Sequence, residues 1–175
     1  ADASGLEVHF LDIGQGDSAL LFCGDETLLI DGGKVKNKQK LIARLKELEV
    51  DHLDAVICSH PDEDHCGGLA AVLATYPAEH VYSSVTEYTT KVFSNVVKYA
   101  DEQGHPVEVP QTGDSWMLGS ASVQVIGTSA MQPSPVSALS GRIPTAITAV
   151  WCCASILVRR ASSSPATWSR RPRLT

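Results

Sequence analysis

The stretch SHPDEDHCGGL, residues 59–69, decides how this chain is read. It crowds two imidazoles and three carboxylates into the six residues from His60 to His65. The apolar run DAVICSH just before it predicts a buried strand ending at His60, and Pro61 biases that residue toward an extended backbone. The cluster is therefore expected in a strand-end loop, where side chains can converge on one point. Gly67 and Gly68 then allow a tight turn and a close backbone approach. Imidazole and carboxylate suit Zn, Mn or Fe rather than the thiolate set of a structural zinc site. Four donors so close in sequence, His60, Asp62, Asp64 and His65, cannot all reach one ion comfortably. Pairing His60 with Asp62, and Asp64 with His65, would serve two adjacent metals, or one metal plus a base. The competing reading is a solvated acidic turn with a histidine at each end; the apolar strand before it and the Gly-Gly after it argue against that.

Working outward, LEVHFLDIG and SALLFCG are apolar, partly β-branched runs joined around Gly14, Gln15, Gly16 and Asp17, a turn signal. ETLLIDGG predicts a third strand closed by Gly32 and Gly33. KQKLIARLKELEV sets Leu41, Ile42, Leu45 and Leu48 at helical spacing with charges on the other face. A short helix is expected over residues 67–74, a strand at HVYSSV, and an amphipathic helix at TKVFSNVVKYADEQG stopped by Gly104. HPVEVPQTGD and SWMLGSASVQVIG predict strands around a turn at Thr112, Gly113 and Asp114. Strands with interposed helices argue for a layered α/β domain, and the opening hairpin-like strands argue against a purely parallel sheet.

The 175 residues allow one domain with a core, or one domain plus a tail. A net charge of −6 argues against a general nucleic-acid or anionic-membrane surface. No apolar run reaches the length that crosses a bilayer. That total conceals a break. All 20 acidic residues, every lysine and every histidine precede Gly127, where Arg44 is the sole arginine. From Thr128 onward there are arginines but no lysine, no acid and no histidine, among many Ser, Pro and Ala, with no sustained period of 2 or 3.6. The expected division is thus 1–127 as the domain and 128–175 as an aberrant tail. The five cysteines form no CxxC framework and read as buried free thiols. The start, ADASGLE, suits a mature N-terminus after signal removal or a trimmed chain equally.

The pattern His60-x-Asp62-x-Asp64-His65 resembles the signature of the metallo-β-lactamase fold, a superfamily of metal-dependent hydrolases built as a four-layer αββα sandwich. More narrowly, VHFLDIGQGDSALL, LLIDGG, SHPDEDHCGGL and TGDSWMLGSASVQVIG resemble the soluble hydrolase domain of the ComEC DNA-internalisation competence family and its stand-alone, often exported, relatives. The resemblance covers about residues 6–127. It implies two divalent ions, Zn or Mn, with His60 and Asp62 on the first and Asp64 and His65 toward the second. It implies catalytic roles for Asp64 and for Asp31 of LIDGG, the latter under the site and orienting the loop. Asp12, Gln15 and Asp17 would lie at the rim, although a hairpin turn with polar tips explains them as well. Lys34, Lys36, Lys38 and Lys40 could meet a phosphate, or simply solvate the approach to a helix. His9, His52, His80 and His105 match no ligand motif and read as structural or surface residues. The resemblance further implies a small phosphodiester or nucleic-acid substrate and an extracytoplasmic or secreted location.

Downstream, the family's later ligands are missing, so the C-terminal half of the sandwich is incomplete. Re-read one base earlier, the codons of residues 147–150 permit Asn-Asn-Ser-Ser, and those of residues 161–167 permit Ser-Phe-Leu-Phe-Thr-Gly-Asp, which suit the family. A frameshift between about residues 127 and 145 is expected. With two donor pairs and no bridging carboxylate, the chain is expected to bind metal partially or not at all, to turn over little, and to self-associate through uncovered apolar surface. The alternative is a non-catalytic binding or assembly module of the same fold.

Overall fold

The computed structural model describes residues 5–127, 146–150 and 155–160. Three short strands open the chain: β1 (Leu6–Phe10), β2 (Ala19–Cys23) and β3 (Glu26–Ile30). They pair antiparallel in sequence order, as two tight connections require. Helix α1 (Lys38–Glu47) then carries the chain over the sheet to β4 (Leu53–Cys58), and two short helices, α2 (Glu63–Cys66) and α3 (Leu69–Leu73), lead to β5 (Ala78–Ser83). Both crossovers make parallel neighbours, giving one mixed sheet in the order β1-β2-β3-β4-β5. Helix α4 (Lys91–Glu102) follows, its N-terminus capped by Thr90, whose hydroxyl accepts the Phe93 N–H at 3.3 Å.

The second sheet is antiparallel, in the order β6-β7-β9-β8, from β6 (Ser115–Leu118), β7 (Ala121–Gly127), β8 (Ala146–Val150) and β9 (Ser155–Arg160). Alternation along β2, β3 and β4 assigns the layers. Leu20, Leu29 and Val56 face the helices, where they meet Leu41, Leu45, Leu69, Val72, Phe93 and Val96. Leu21, Leu28, Ile30, Ala55 and Ile57 point the other way, onto Leu118, Ala121, Val123 and Val158 of the second sheet. The result is a mixed α/β sandwich: helices, sheet, sheet. Among the described residues no helix covers the outer face of the second sheet.

Three local expectations change, and one helix is joined by another. HPVEVPQTGD forms no strand: Pro106 and Pro110 remove ladder donors, and only Glu108 bridges Tyr82. SWMLGSASVQVIG is a hairpin rather than one strand, because Gly119 turns the chain at φ 54. The helix expected over residues 67–74 is present as α3, and the sequence reading did not foresee α2 just before it. Gly67 and Gly68 have ordinary helical φ values there, and their small size serves close approach: a Cβ on Gly68 would overlap the Gly32 carbonyl oxygen. Finally, two segments of the arginine-bearing tail, lacking period in sequence, are β8 and β9. Residues 151–154 and 161–175, with Cys152, Cys153 and the re-read run 161–167, lie outside the described residues.

Candidate metal centre

β3 ends at Ile30 and the next residue, Asp31, is fully buried with φ 58, a left-handed backbone that Asp tolerates better than most residues. This places its carboxylate beneath the loop that leaves β4. Asp31 Oδ1 accepts the Ser59 N–H at 2.8 Å, and Oδ2 accepts the Ser59 hydroxyl at 2.5 Å. The same Oδ2 lies 3.0 Å from His65 Nδ1. A carboxylate in that position fixes a proton on Nδ1 and leaves the Nε2 lone pair for another partner, the usual support of a metal-binding imidazole. Asp31 is also the main cause of a raised His65 pKa; partial burial opposes it, and the charges of Asp64 and Asp17 add to it.

The loop is held from below by main chain and by thiols. Gly32 N–H donates to the His65 carbonyl at 2.6 Å, and Gly68 N–H to the Gly33 carbonyl at 3.1 Å. Cys58 and Cys66 are buried free thiols donating to the carbonyls of His60 and Pro61 at 3.0 and 3.2 Å. The contact with Cys66 and burial push the Cys58 thiol well up, in keeping with its donation to the His60 carbonyl. From the side, the turn after β1 abuts the loop: a Cβ on Gly16, whose φ is 113, would overlap the Asp64 carbonyl oxygen. Gln15 and Asp17 therefore flank the loop, while Asp12 is turned to Lys40 at 3.2 Å. Lys34 precedes a single 3₁₀ turn, Val35–Asn37, that leads into α1.

All four sequence-derived donors lie in this loop, and one of the two expected pairs is in contact. His60 and Asp62 meet, with Nδ1 3.2 Å from Asp62 Oδ2 and accepting the Asp62 N–H at 3.2 Å. The His60 and His65 rings stand 5.9 Å apart at 62°. Asp64 takes no side-chain hydrogen bond among the described residues, although its charge is felt by His65. In kind these donors fit a divalent ion: two imidazoles and two carboxylates, with His65 oriented by a buried acid. In number they fall short, since among the described residues no group of three or more His, Cys, Asp or Glu side chains is placed to hold an ion.

One residue escaped the sequence reading. Tyr88, between β5 and α4, donates its hydroxyl to Asp62 Oδ1 at 3.0 Å, and only its position after a strand end could have hinted at it. The remaining histidines lie elsewhere. His52 and His105 line a cavity of about 520 Å³ at the far end of β4, His80 stacks on Tyr82, and His9 packs edge-on against Phe22.

Comparison with known proteins agrees with this architecture. The chain is 28% identical to a nitric oxide reductase of Moorella thermoacetica over 110 residues, 62% of this chain and 26% of that protein. It is 25% identical to an anaerobic nitric oxide reductase flavorubredoxin of Vibrio vulnificus over 117 residues, 66% of this chain and 23% of that protein. The chain thus spans about a quarter of the length of these curated relatives. In fold it is similar to MEM-A1, a subclass B3 metallo-beta-lactamase from a soil metagenome library, with a TM-score of 0.54 at 19% identity over 69% of this chain and 49% of that one. The family profile of the Metallo-beta-lactamase superfamily matches residues 11–142. That match takes in Asp31, the donor-bearing loop and the first strands of the second sheet, and the chain belongs to the Metallo-beta-lactamase superfamily.

Proposed function

We propose that this chain is part of a metal-dependent hydrolase related to the soluble hydrolase domain of the ComEC family, acting on a phosphodiester or another ester. His60 and Asp62 would hold one ion, Zn or Mn, with Asp64 and His65 turned toward a second, at partial or no occupancy. When bound, such ions supply Lewis-acid stabilisation of the charge that develops as an ester or phosphodiester is cleaved. The chain's own contribution is orientation. Asp31 fixes the His65 tautomer, Ser59 ties Asp31 to the start of the loop, and the Gly16 turn fixes the loop's flank. The observation that carries the reading is the buried Asp31 carboxylate at 3.0 Å from His65 Nδ1, because a solvated acidic turn has no use for it.

Two donors per ion make a weak site, so this chain binds metal partially and turns over little. The same reading includes DNA or a small phosphodiester as substrate, an extracytoplasmic or secreted location, and self-association through the uncovered face of the second sheet, where Met117 is exposed. A second reading, a non-catalytic binding or assembly module, is favoured by the lack of any three-donor group among the described residues.

Metal counting and hydrolysis of bis-p-nitrophenyl phosphate, on this chain and on a version re-read one base earlier beyond about residue 127, separate the two. Activity with two ions in the re-read protein alone supports the hydrolase. Inactivity of both supports the module.

A further inference from the structure

Cys58 and Cys66 stand at the two ends of the donor-bearing segment, one closing β4 and the other closing α2. Both are fully buried free thiols in the core cluster between the first sheet and the helices, whereas Cys23 belongs to the cluster between the sheets. They serve neighbouring peptides: the Cys58 thiol donates to the His60 carbonyl at 3.0 Å, and the Cys66 thiol to the Pro61 carbonyl at 3.2 Å. The two thiols also touch each other. Thiols that a fold already holds in contact need little rearrangement to form a disulfide. Nor are they sealed in equally. α2 is a single turn of four residues with no side-chain hydrogen bond capping its N-terminus, and short elements of this kind open locally well below the cost of global unfolding. Opening α2 uncovers Cys66, while Cys58 stays in register with Ser83 of β5.

We propose that Cys58 and Cys66 form a redox-active dithiol, closed to a disulfide across the donor loop by a low-molecular-weight disulfide such as oxidised glutathione. With α2 open, the Cys66 thiolate attacks one sulfur of the oxidant, forming a mixed disulfide and releasing one glutathione. While the turn is still open to water, the Cys58 thiolate attacks the Cys66 sulfur and displaces the second glutathione. Two electrons pass from the cysteine sulfurs to the oxidant, and the two cysteine protons end on the two glutathione thiols. Closure takes both S–H donors from the His60 and Pro61 carbonyls and ties together the ends of the segment that carries His60, Asp62, Asp64 and His65. The pairing asks nothing of those four donors and holds whether or not they bind an ion.

Glutathione redox buffers of stepped ratio test this on the full chain, approached both from the reduced native protein and by refolding from urea, with free thiols then blocked by N-ethylmaleimide. Trypsin finds no lysine or arginine between Lys46 and Lys91, so one peptide, residues 47–91, carries Cys58 and Cys66 and no other cysteine. The expected product is that peptide short of two hydrogens and bearing neither maleimide nor glutathione. Half-closure should need a buffer about tenfold less oxidising for the folded chain than for the chain held unfolded in urea, because constraining the unfolded loop stabilises the fold while the surrendered thiol donors offset part of the gain. Cys66→Ser keeps a donor for the Pro61 carbonyl and should yield no closed peptide. Closure that is equal in folding buffer and in urea, or weaker in folding buffer, overturns the proposal. So does pairing of Cys58 or Cys66 with any other cysteine. Closure on refolding but never in the native chain overturns the opening of α2 and with it the redox-active role.

Discussion

Removing the Asp31 carboxylate tests the frame beneath the loop most directly. In Asp31→Ala three contacts vanish: the Ser59 N–H at 2.8 Å, the Ser59 hydroxyl at 2.5 Å and His65 Nδ1 at 3.0 Å. Ser59 is fully buried, so its amide is left without a partner, at about 1–3 kcal/mol. The hydroxyl can swing to His65 Nδ1, already 3.4 Å away, so those two groups together lose less, about 1 kcal/mol. Alanine at φ 58 adds roughly 1 kcal/mol of backbone strain. The expected loss is therefore about 3–5 kcal/mol, a large part of a typical domain's stability. Asp31→Asn is the informative companion. It keeps an oxygen for the Ser59 amide but presents N–H₂ to His65, which must then accept on Nδ1 and carry its proton on Nε2. Its stability loss should be about 1–2 kcal/mol. Urea unfolding followed by circular dichroism gives the energies, and long-range ¹H–¹⁵N spectra of the neutral ring give the tautomer. An alanine variant within 1 kcal/mol of the parent would refute the burial argument. A proton remaining on Nδ1 in the asparagine variant would refute the orientation argument.

Three further outcomes are expected. Phe93→Ala empties a fully buried site between α4 and the first sheet, and should cost about 3–5 kcal/mol in urea unfolding. Gly16→Ala combines a left-handed φ of 113 with overlap on the Asp64 carbonyl; a loss of about 2–4 kcal/mol is expected, and an unchanged midpoint would contradict the loop contact. Burial, helped by the charges of Glu108 and Asp114, pushes the Tyr82 phenol up to about 12. The unfolded chain releases that proton near the ordinary phenol pKa of about 10 while the folded chain holds it, so this group's contribution to stability is lost as pH rises from about 10 to 12. The 295 nm titration of the parent minus that of Tyr82→Phe should show a midpoint near 12.

The first sheet was legible because its strands alternate cleanly between two apolar partners, and its helices carry a 3.6 period against charged faces. Leu20 and Leu21 alone indicate that both faces of β2 are covered, and so that layers lie on either side. The donor loop was legible from composition, since His60, Asp62, Asp64 and His65 are near neighbours in the chain. What escaped depended on tertiary partners. Tyr88 reaches Asp62 from 26 residues away, with no local pattern to announce it. The strand reading of residues 105–114 failed because Pro106 and Pro110 outweighed the alternation of Val107 and Val109. The break at Gly119 is dictated by Cys23, whose carbonyl oxygen a Cβ at that position would overlap. β8 and β9 lack a convincing period; β9 becomes a strand by docking on β7, and β8 by docking on β9.

The pairing of β9 with β7 bears on how a segment with no strand period in its sequence can still join a sheet. The flank of β7 offers amide hydrogens and carbonyls, and β9 meets them in step from Ala121↔Arg160 to Val125↔Ile156, then across a register shift at Gly127↔Ser155. Peptide groups are alike whatever side chains they carry, and among the described side chains of β9 the apolar Val158 enters the interior. An exposed ladder is in this sense a promiscuous acceptor: it will recruit a segment of weak pattern provided a hydrophobic peg falls in step. Occupancy of that berth testifies to the acceptor's geometry and says little about the ancestry of the guest.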